Sequence, residues 1–405
     1  MTYITRTLET TIQKAVREFP AVVITGPRQS GKTTLLKHLF ASDYHYVSLE
    51  LPDVRQAALD DPRGFLALYP PPVILDEIQY APDLLPYIKE IIDTKRDLPG
   101  QFILTGSQNL LLMAKVSESL AGRAAILKLL PLTLREETGE PERALFWERE
   151  NPDRTDQKFS YRELWQKFLR GFYPELVANP SRDITLWHAS YVQTYLERDV
   201  RSLRQIGDLS QFQVFLRALA IRSGQLLNLT ELSRTLGLAV NTVKAWISVL
   251  EATHQIFILR PYFANIGKRL VKTPKVYLID VGLLCYLAGL KDIEQAALGP
   301  LGGAIFETAV LSEIIKTMWH RGLEPRIYFW RTSSGMEVDF VLEVNSHLLP
   351  LEVKLSSTPR LQMASSIKSF RKLLGERVLP GYVVHPGEVK LPLGDGVLAL
   401  PFWEM

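Results

Sequence analysis

An eight-residue stretch near the N-terminus, GPRQSGKT from Gly26 to Thr33, has the residue types and spacing of a phosphate-binding loop. It matches G-x-x-x-x-G-K-[ST], whose glycines let backbone N–H groups wrap a phosphate at a helix N-terminus. We expect Lys32 to reach the β- and γ-phosphates and the Thr33 hydroxyl to bind Mg²⁺, so the predicted cofactors are ATP and Mg²⁺. The predicted cofactor-binding residues are Gly26, Pro27, Arg28, Gln29, Ser30, Gly31, Lys32, Thr33 and Thr34.

A second motif, PVILDEI from Pro72 to Ile78, is an apolar strand that ends in two acids. We expect Asp76 to hold the magnesium through water and Glu77 to act as general base on the attacking water. Two carboxylates at the end of a buried strand are costly without a cation. The alternative is that they only cap a following helix.

Two further side chains are candidates for work on the γ-phosphate. Ser107 follows the strand Phe102 to Thr105 and is predicted to sense that phosphate, although Gly-Ser also favours an ordinary turn. Arg123, in SLAGR, is predicted to stabilise transition-state charge in its own subunit or in a neighbour's. The second option requires a homo-oligomer, and a surface salt bridge is the alternative to both.

Near the C-terminus, EVDFVLEVNSHLLPLEVK interrupts an apolar strand pattern with charged residues. If Asn345 and Ser346 form a hairpin tip, the numbers of opposite residues sum to 691. Val338, Phe340 and Leu342 then share one apolar face with the residues opposite them, as a period of two demands.

In this register Asp339 lies opposite Glu352, and Glu337 lies opposite Lys354. The Glu–Lys pair is ordinary, whereas two opposed carboxylates repel unless a cation lies between them or one takes up a proton. Asp339 and Glu352 are therefore predicted ligands of Mg²⁺ or Mn²⁺, with Lys354 placed to orient a water or neutralise phosphate charge. Glu307, on an apolar helix upstream, is a third candidate ligand, or an acid stabilised by the helix dipole.

The middle of the chain is predicted to be helical. Polar residues between Arg135 and Lys158 indicate a boundary, and amphipathic helices after it are expected to form a lid on the nucleotide domain. Leu229 to Pro261 has the rhythm of a helix-turn-helix, with Thr230 as cap, a turn at Gly237 and β-rich sequence after it. The candidates for DNA contact on its second helix are Asn241, Thr242, Lys244 and Trp246. Such modules also bind proteins, and Trp246 could belong to the core.

Composition limits the class of protein. The chain has 405 residues, 46% of them hydrophobic and 22% charged, which is typical of a globular protein of two to four domains. The net charge is +3, but residues 181–275 contain 13 Lys and Arg against 6 Asp and Glu, a local +7 that favours nucleic acid. One cysteine, no zinc-ligand cluster and no run of about 18 apolar residues predict a cytoplasmic protein with no membrane partner.

Taken in order, GPRQSGKT, VILDE, TGSQ, SLAGR, GFYPELV, YLERDV, FETAVLSEI, YFWRTSSGMEVDFVL and LEVK resemble the AAA+ ATPases of bacteria and archaea that carry a C-terminal domain of uncharacterised function. The resemblance implies an α/β fold: a P-loop NTPase (AAA+-like) parallel sheet with a helical lid, a winged helix-turn-helix and a restriction-endonuclease-like C-terminal domain. Glu307, Asp339, Glu352 and Lys354 match the acids and lysine of its PD-(D/E)xK pattern, with Val338 where that pattern has proline. The expected boundaries are 1–135 for the ATPase core, 136–205 for the lid, 206–290 for the winged helix and 291–405 for the nuclease-like domain.

The sequence therefore predicts an Mg²⁺-dependent ATPase that acts on DNA through its winged-helix and nuclease-like parts. The alternative is an ATP-switched protein-binding or regulatory ATPase whose nuclease-like domain is catalytically inert.

Overall fold

The computed structural model describes residues 3–106, 115–116, 118–148, 158–196, 209–262, 273–332 and 335–405. Within these ranges the strands form two sheets, one of five strands and one of nine. The five-stranded sheet belongs to the first third of the chain and the nine-stranded sheet to the rest.

The first sheet is parallel, in the order β2 (His45–Ser48), β3 (Val73–Asp76), β4 (Phe102–Gly106), β1 (Ala21–Thr25) and β5 (Ala124–Lys128). Its strands β1, β3 and β4 are buried throughout, as the apolar runs predict for strands covered on both faces. Because parallel strands end at one edge, the phosphate loop and the acids after β3 meet there. The elements are α1 (Leu8–Glu18), β1 (Ala21–Thr25), α2 (Lys32–Phe40), β2 (His45–Ser48), α3 (Pro52–Asp60), α4 (Pro62–Leu68), β3 (Val73–Asp76), α5 (Leu85–Thr94), β4 (Phe102–Gly106), β5 (Ala124–Lys128) and α6 (Leu134–Glu137).

The middle of the chain is mainly helical. Its elements are α7 (Tyr161–Arg170), α8 (Pro174–Ala178), α9 (Ile184–Tyr191), α10 (Leu209–Ala220), β6 (Gln225–Leu226), α11 (Leu229–Leu236), α12 (Val240–Ala252), β7 (Ile256–Pro261), β8 (Lys275–Leu278), α13 (Val281–Leu287) and α14 (Ile293–Leu298). The predicted pair of helices is α11 and α12, joined at Gly237, where φ is +65°. The predicted cap Thr230 is wrong, because Asn228 accepts the bond from the backbone N–H of Glu231. Antiparallel strands follow, but a winged helix remains a prediction.

Trp246 is part of the core and cannot contact DNA. Its side chain is 5% exposed and packs edge-on against Phe212 and Phe215, with ring centroids 5.3 and 5.2 Å away. The helical spacing of Trp246 is compatible with either DNA contact or a core position, and its burial against α10 shows that it belongs to the core. Asn241 and Lys244 are exposed on the outer face of α12, and Thr242 is half-buried.

The C-terminal strands extend the sheet begun by β6 to β8. The order is β13 (Leu391–Pro392), β14 (Leu398–Pro401), β12 (Tyr382–His385), β11 (His347–Val353), β10 (Glu337–Val344), β9 (Ile327–Arg331), β7, β8 and β6. The junction is the parallel pairing of β7 with β9. One apolar core also spans the predicted boundary at residue 290, so the two predicted domains share both sheet and core. The remaining elements are α15 (Gly302–His320), β9 (Ile327–Arg331), β10 (Glu337–Val344), β11 (His347–Val353), α16 (Ser365–Leu374), β12 (Tyr382–His385), β13 (Leu391–Pro392) and β14 (Leu398–Pro401).

The hairpin of β10 and β11 has the predicted register. Pairs from Phe340 with Leu351 to Val344 with His347 all sum to 691. The tip residues Asn345 and Ser346 have φ of +46° and +67°. Both lie in the left-handed region that a two-residue hairpin turn requires.

The ladder between the two strands stops before Asp339 and Glu352. There the Asp339 carboxylate accepts a hydrogen bond from the backbone N–H of Val353, at 2.8 Å. The predicted Glu337–Lys354 pair is wrong. Glu337 instead faces β9 and lies 2.5 Å from the amine of Lys275.

Candidate functional site

The phosphate loop lies between β1 and α2 at the carboxyl edge of the parallel sheet. Its glycines adopt conformations that other residues avoid, with φ of +149° at Gly26 and +94° at Gly31. A Cβ atom on Gly26 would lie 2.0 Å from the carbonyl oxygen of Leu129, so only glycine fits there. α2 begins at Lys32, directly after the loop, and its first N–H groups face the loop.

Two polar side chains of the loop are buried. The Lys32 amine donates to the carbonyl oxygens of Gly26 and Pro27, both at 3.0 Å, and the residue is 6% exposed. The Ser30 hydroxyl is buried and has no hydrogen-bond partner among the described residues. An unpaired buried donor is unfavourable, so this hydroxyl fits a loop that receives an anion.

Asp76, at the end of β3, is held beside the loop by three hydroxyl groups. Its carboxylate accepts from Thr33 at 2.9 Å, from Tyr46 at 2.5 Å and from Thr105. Burial and the Asp76 contact raise the pKa of Tyr46. The Thr33 hydroxyl and the Asp76 carboxylate therefore form a pair of hard oxygen donors that fits Mg²⁺.

Glu77 turns sharply out of the strand, with φ of +59°. Its N–H donates to the Thr105 hydroxyl at 3.0 Å, and its carboxylate accepts from the Gln79 amide. Tyr46, Thr105 and Gln79 had no part in the sequence prediction. Thr105 and Tyr46 lie on strands adjacent to β3, so strand order is the signal that could have found them.

A cavity of about 610 Å³ opens beside the loop and includes Glu77, Thr34 and Lys32 in its lining. Its other walls come from outside the two motifs. Tyr3 and Ile4 precede α1, and Pro174, Glu175 and Ala178 belong to α8. The middle of the chain thus contributes to this cavity, and a lid remains a prediction.

Arg123 lies away from this cavity. Its carbonyl oxygen accepts from the N–H of Ala21, so it sits at the start of β5 and at the amino edge of the sheet. That edge is roughly 16 Å from the loop, at about 3.3 Å per residue of β1. Its guanidinium donates to Asp93 at 2.6 and 2.9 Å. This contradicts a role on phosphates of its own subunit, and a role on a neighbour's remains a prediction. Ser107 lies outside the described residues.

A second charged cluster surrounds Glu307 on α15. The Lys275 amine lies 3.2 Å from the Glu307 carboxylate and 2.5 Å from that of Glu337, and the Tyr277 hydroxyl donates to Glu307 at 2.5 Å. Burial and the nearby Asp339 charge raise the pKa of Glu307. Lys275 and Tyr277 lie on β8, far from the hairpin in sequence. The charge pattern of the hairpin therefore could not predict that these two residues contact Glu307.

Asp339 and Glu352 come together, as the register predicts. The Lys354 amine lies 2.5 Å from one Glu352 oxygen and 3.9 Å from Asp339. The other Glu352 oxygen is buried, with no hydrogen-bond partner among the described residues. Burial and the Asp339 charge raise the pKa of Glu352 to about 8. A lysine and a raised pKa thus accommodate the opposed acids.

A metal centre at these groups remains a prediction. In the described ranges, no group of three or more His, Cys, Asp or Glu side chains could hold a metal ion. Asp339 lies close to both Glu307 and Glu352, and the amines of Lys275 and Lys354 lie against the carboxylates.

The raised pKa of Glu352 makes stability depend on pH. An acid whose pKa is raised in the folded state stabilises it below the unfolded pKa, near 4.5, and loses this contribution as the pH rises through about 8. Between these limits the free energy of unfolding should fall by up to about 1.4 kcal/mol per pH unit relative to Glu352→Gln. Urea unfolding at pH 5, 6, 7 and 8 measures this difference, with the exposed Glu388→Gln as control. A constant difference across these pH values would contradict the shift.

Three family models match successive parts of the chain. Residues 18–138 match an AAA domain, residues 161–294 match a domain of unknown function (DUF8612) and residues 302–405 match another (DUF4143). The first match contains the phosphate loop, Asp76, Glu77 and the whole parallel sheet. The chain therefore contains an AAA-type P-loop ATPase domain, as the motifs predict.

The chain belongs to the same family as two mycobacterial proteins. Uncharacterized protein Rv2008c of Mycobacterium tuberculosis and uncharacterized protein Mb2031c of Mycobacterium bovis are each 32% identical to it over 394 residues. Each alignment covers 96% of this chain and 82% of the relative. The similarity thus includes all three matched segments.

Two solved structures were also compared. The Walker-type ATPase PABY2304 of Pyrococcus abyssi has a TM-score of 0.45 and 17% identity, over 69% of this chain and 94% of that one. Protein VC1899 from Vibrio cholerae has a TM-score of 0.20 and 13% identity, over 95% of this chain and 94% of that one.

No helix in the described part of this chain is long and apolar enough to cross a membrane.

Proposed function

We propose that this protein binds ATP with Mg²⁺ at the phosphate loop and hydrolyses it. The observation that carries this is the contact between the two motifs, since the Thr33 hydroxyl lies 2.9 Å from the Asp76 carboxylate and Glu77 faces the same cavity. A phosphate-binding loop, a magnesium ligand pair and a carboxylate base are the parts that phosphoryl transfer to water requires.

Each side chain has a role set by its position. The Lys32 amine donates hydrogen bonds to two loop carbonyl oxygens, and it would donate to oxygens of the β- and γ-phosphates instead when ATP binds. Thr33 and Asp76 would hold the metal, which when bound neutralises phosphate charge. Glu77 would accept a proton from the attacking water, and the Thr105 bond to its N–H fixes its backbone.

The direct test is phosphate release by the purified full-length chain. We expect turnover that disappears with a chelator and returns with Mg²⁺. Saturable ATP binding without turnover would overturn hydrolysis and favour a nucleotide-switched binding protein.

We further propose that the protein acts on DNA through α11 and α12. What supports this is the exposed Lys244 and Asn241 on α12, the exposed Arg234 on α11, and the local charge of +7 between residues 181 and 275. Lysine and arginine on an exposed helix pair fit the DNA backbone. The alternative is an ATP-switched protein-binding or regulatory ATPase whose nuclease-like domain is catalytically inert.

DNA binding should respond to salt and to charge reversal. We expect duplex DNA to stimulate ATP turnover, with an apparent affinity that falls steeply between 50 and 200 mM salt, by about tenfold or more. Lys244→Glu should weaken the DNA affinity by about tenfold while leaving turnover without DNA unchanged, because it removes one phosphate contact and adds repulsion. Lys291→Glu, at an exposed lysine outside the two helices, is the control.

Two results separate the proposals. ATP turnover that ignores DNA at every salt concentration would favour the protein-binding alternative. If single-stranded, duplex and branched DNA stay intact with Mg²⁺ or Mn²⁺, the nuclease prediction fails, while DNA-stimulated ATP turnover can still hold.

A further inference from the structure

Arg6, just before α1, joins the phosphate loop to the segment after β5. The residue is 3% exposed. Its guanidinium donates to the carbonyl oxygen of Ser30 at 2.9 Å and to that of Leu130 at 2.7 Å. The third nitrogen, Nε, lies 3.2 Å from the Glu136 carboxylate. One planar group thus holds the middle of the loop, the exit of β5 and a buried acid in fixed positions.

Glu136 carries this connection further. Its carboxylate accepts from the N–H groups of Thr7 at 2.9 Å and Thr133 at 2.8 Å. Burial opposes its charge, but Arg6 and then His320 outweigh burial and lower the pKa of Glu136. It is therefore a charged acid that its buried neighbours satisfy.

His320, the last residue of α15, lies against Glu136. The Leu130 N–H donates to its Nε2 at 3.0 Å, so Nε2 carries no proton. Nδ1 must then carry the proton and donate to Glu136, at 3.0 Å. Burial lowers the pKa of His320, which agrees with this neutral tautomer. The ring bridges the strand exit and the acid that holds Arg6.

The same face of α15 makes two more polar contacts with this segment. The Lys316 amine donates to the carbonyl oxygen of Leu132 at 3.1 Å, and the Glu313 carboxylate accepts from the N–H of Leu134 at 3.0 Å. Spacings of three and four place both residues with His320 on one side of the helix. A helix of the C-terminal region therefore orders residues 130–134 with specific bonds and not only with apolar packing.

We propose that Arg6 is a positioning residue of the ATP site, and that Glu136 and His320 make α15 part of the structure that holds the phosphate loop in its binding conformation. The inference rests on the proposed ATP function. Arg6 lines the nucleotide cavity, yet its two terminal nitrogens donate to the carbonyl oxygens of Ser30 and Leu130, so it acts through the loop and is not a catalytic residue. A loop that loses this support presents its N–H groups to phosphate less well.

Arg6→Lys tests the first part. One ammonium on a flexible stem cannot hold two carbonyl oxygens and Glu136 in a plane, so the Kd for ATP should rise about tenfold, with KM changed more than kcat. Arg17→Lys makes the same change at an exposed arginine of α1 and should bind as wild type does. Kd is measured by titration at a temperature where thermal melts show all variants folded. A role only in stability would lower the melting temperature and leave Kd unchanged, which would overturn the proposal.

His320→Gln tests the connection to α15 and decides the matter if Arg6→Lys does not fold. Like Arg6→Lys, it should raise the Kd for ATP. The double variant should raise the Kd by less than the product of the two single effects, because both substitutions break the same connection. Nucleotide should also slow hydrogen exchange at the C-terminal end of α15 in wild type but not in Arg6→Lys. Wild-type Kd in His320→Gln, or additive effects, would overturn the role of α15. Wild-type protein that binds no ATP would instead overturn the proposed function itself.

Discussion

Glu77→Gln protein should bind ATP with nearly wild-type affinity and turn it over about 100 to 10,000 times more slowly. The amide keeps the shape of the side chain but cannot accept the proton of the attacking water. Since the backbone of Glu77 is fixed by the bond from its N–H to Thr105, the substitution should not disturb the loop. Single-turnover phosphate release with excess enzyme measures the chemical step alone.

The control for this prediction is Glu18→Gln, at an exposed carboxylate at the end of α1. It should hydrolyse ATP at the wild-type rate. If Glu77→Gln also hydrolyses at that rate, Glu77 is not the base.

Lys32→Ala should lose ATP binding, with a Kd raised by about a hundredfold or more. The amine is the group expected to meet the β- and γ-phosphates, and charge-assisted bonds of this kind are about twice as strong as neutral ones. The variant also loses the two bonds to Gly26 and Pro27 carbonyls, which frees the loop. Thermal melts with and without nucleotide report binding independently of turnover.

Lys14→Ala, at an exposed lysine on α1, serves as the control and should retain the nucleotide-dependent shift in melting temperature. A Lys32→Ala protein that keeps the full shift would place the nucleotide elsewhere than at the phosphate loop.

Local sequence predicted the parts of the site that depend on local structure. The loop was predictable because its glycine spacing sets a backbone conformation, and Gly26 and Gly31 adopt the positive φ that this requires. The hairpin register followed from alternation of apolar residues about Asn345 and Ser346. The loop conformation and the hairpin register involve residues that are close along the chain, so the local sequence pattern is enough to predict them.

The partners of the charged groups were not predictable because they come from distant strands. Tyr46 and Thr105 reach Asp76 only through strand order, and Lys275 meets Glu307 and Glu337 because β8 crosses near α15. Residue type without tertiary context does not say which charges pair. The sequence thus named the opposed acids and Lys354 but could not name Lys275, and a metal between the acids remains a prediction.

Tertiary structure also decides against Arg123 acting on phosphates of its own subunit and against Trp246 contacting DNA. Arg123 has a type suited to transition-state charge, but the parallel sheet places it at the edge opposite the loop. Trp246 lies on the helix predicted to contact DNA, yet α10 covers it with Phe212 and Phe215. Helical periodicity identifies a face, but the packing of neighbouring helices decides whether that face meets solvent.

Calorimetric titration of the full-length chain with an ATP analogue that resists hydrolysis, in Mg²⁺, tests the central claim most directly. We predict saturable binding of one nucleotide per chain in wild type and its loss in Lys32→Ala. Wild-type protein that binds no nucleotide, or a Lys32→Ala variant that binds as tightly as wild type, would contradict the assignment of the ATP site.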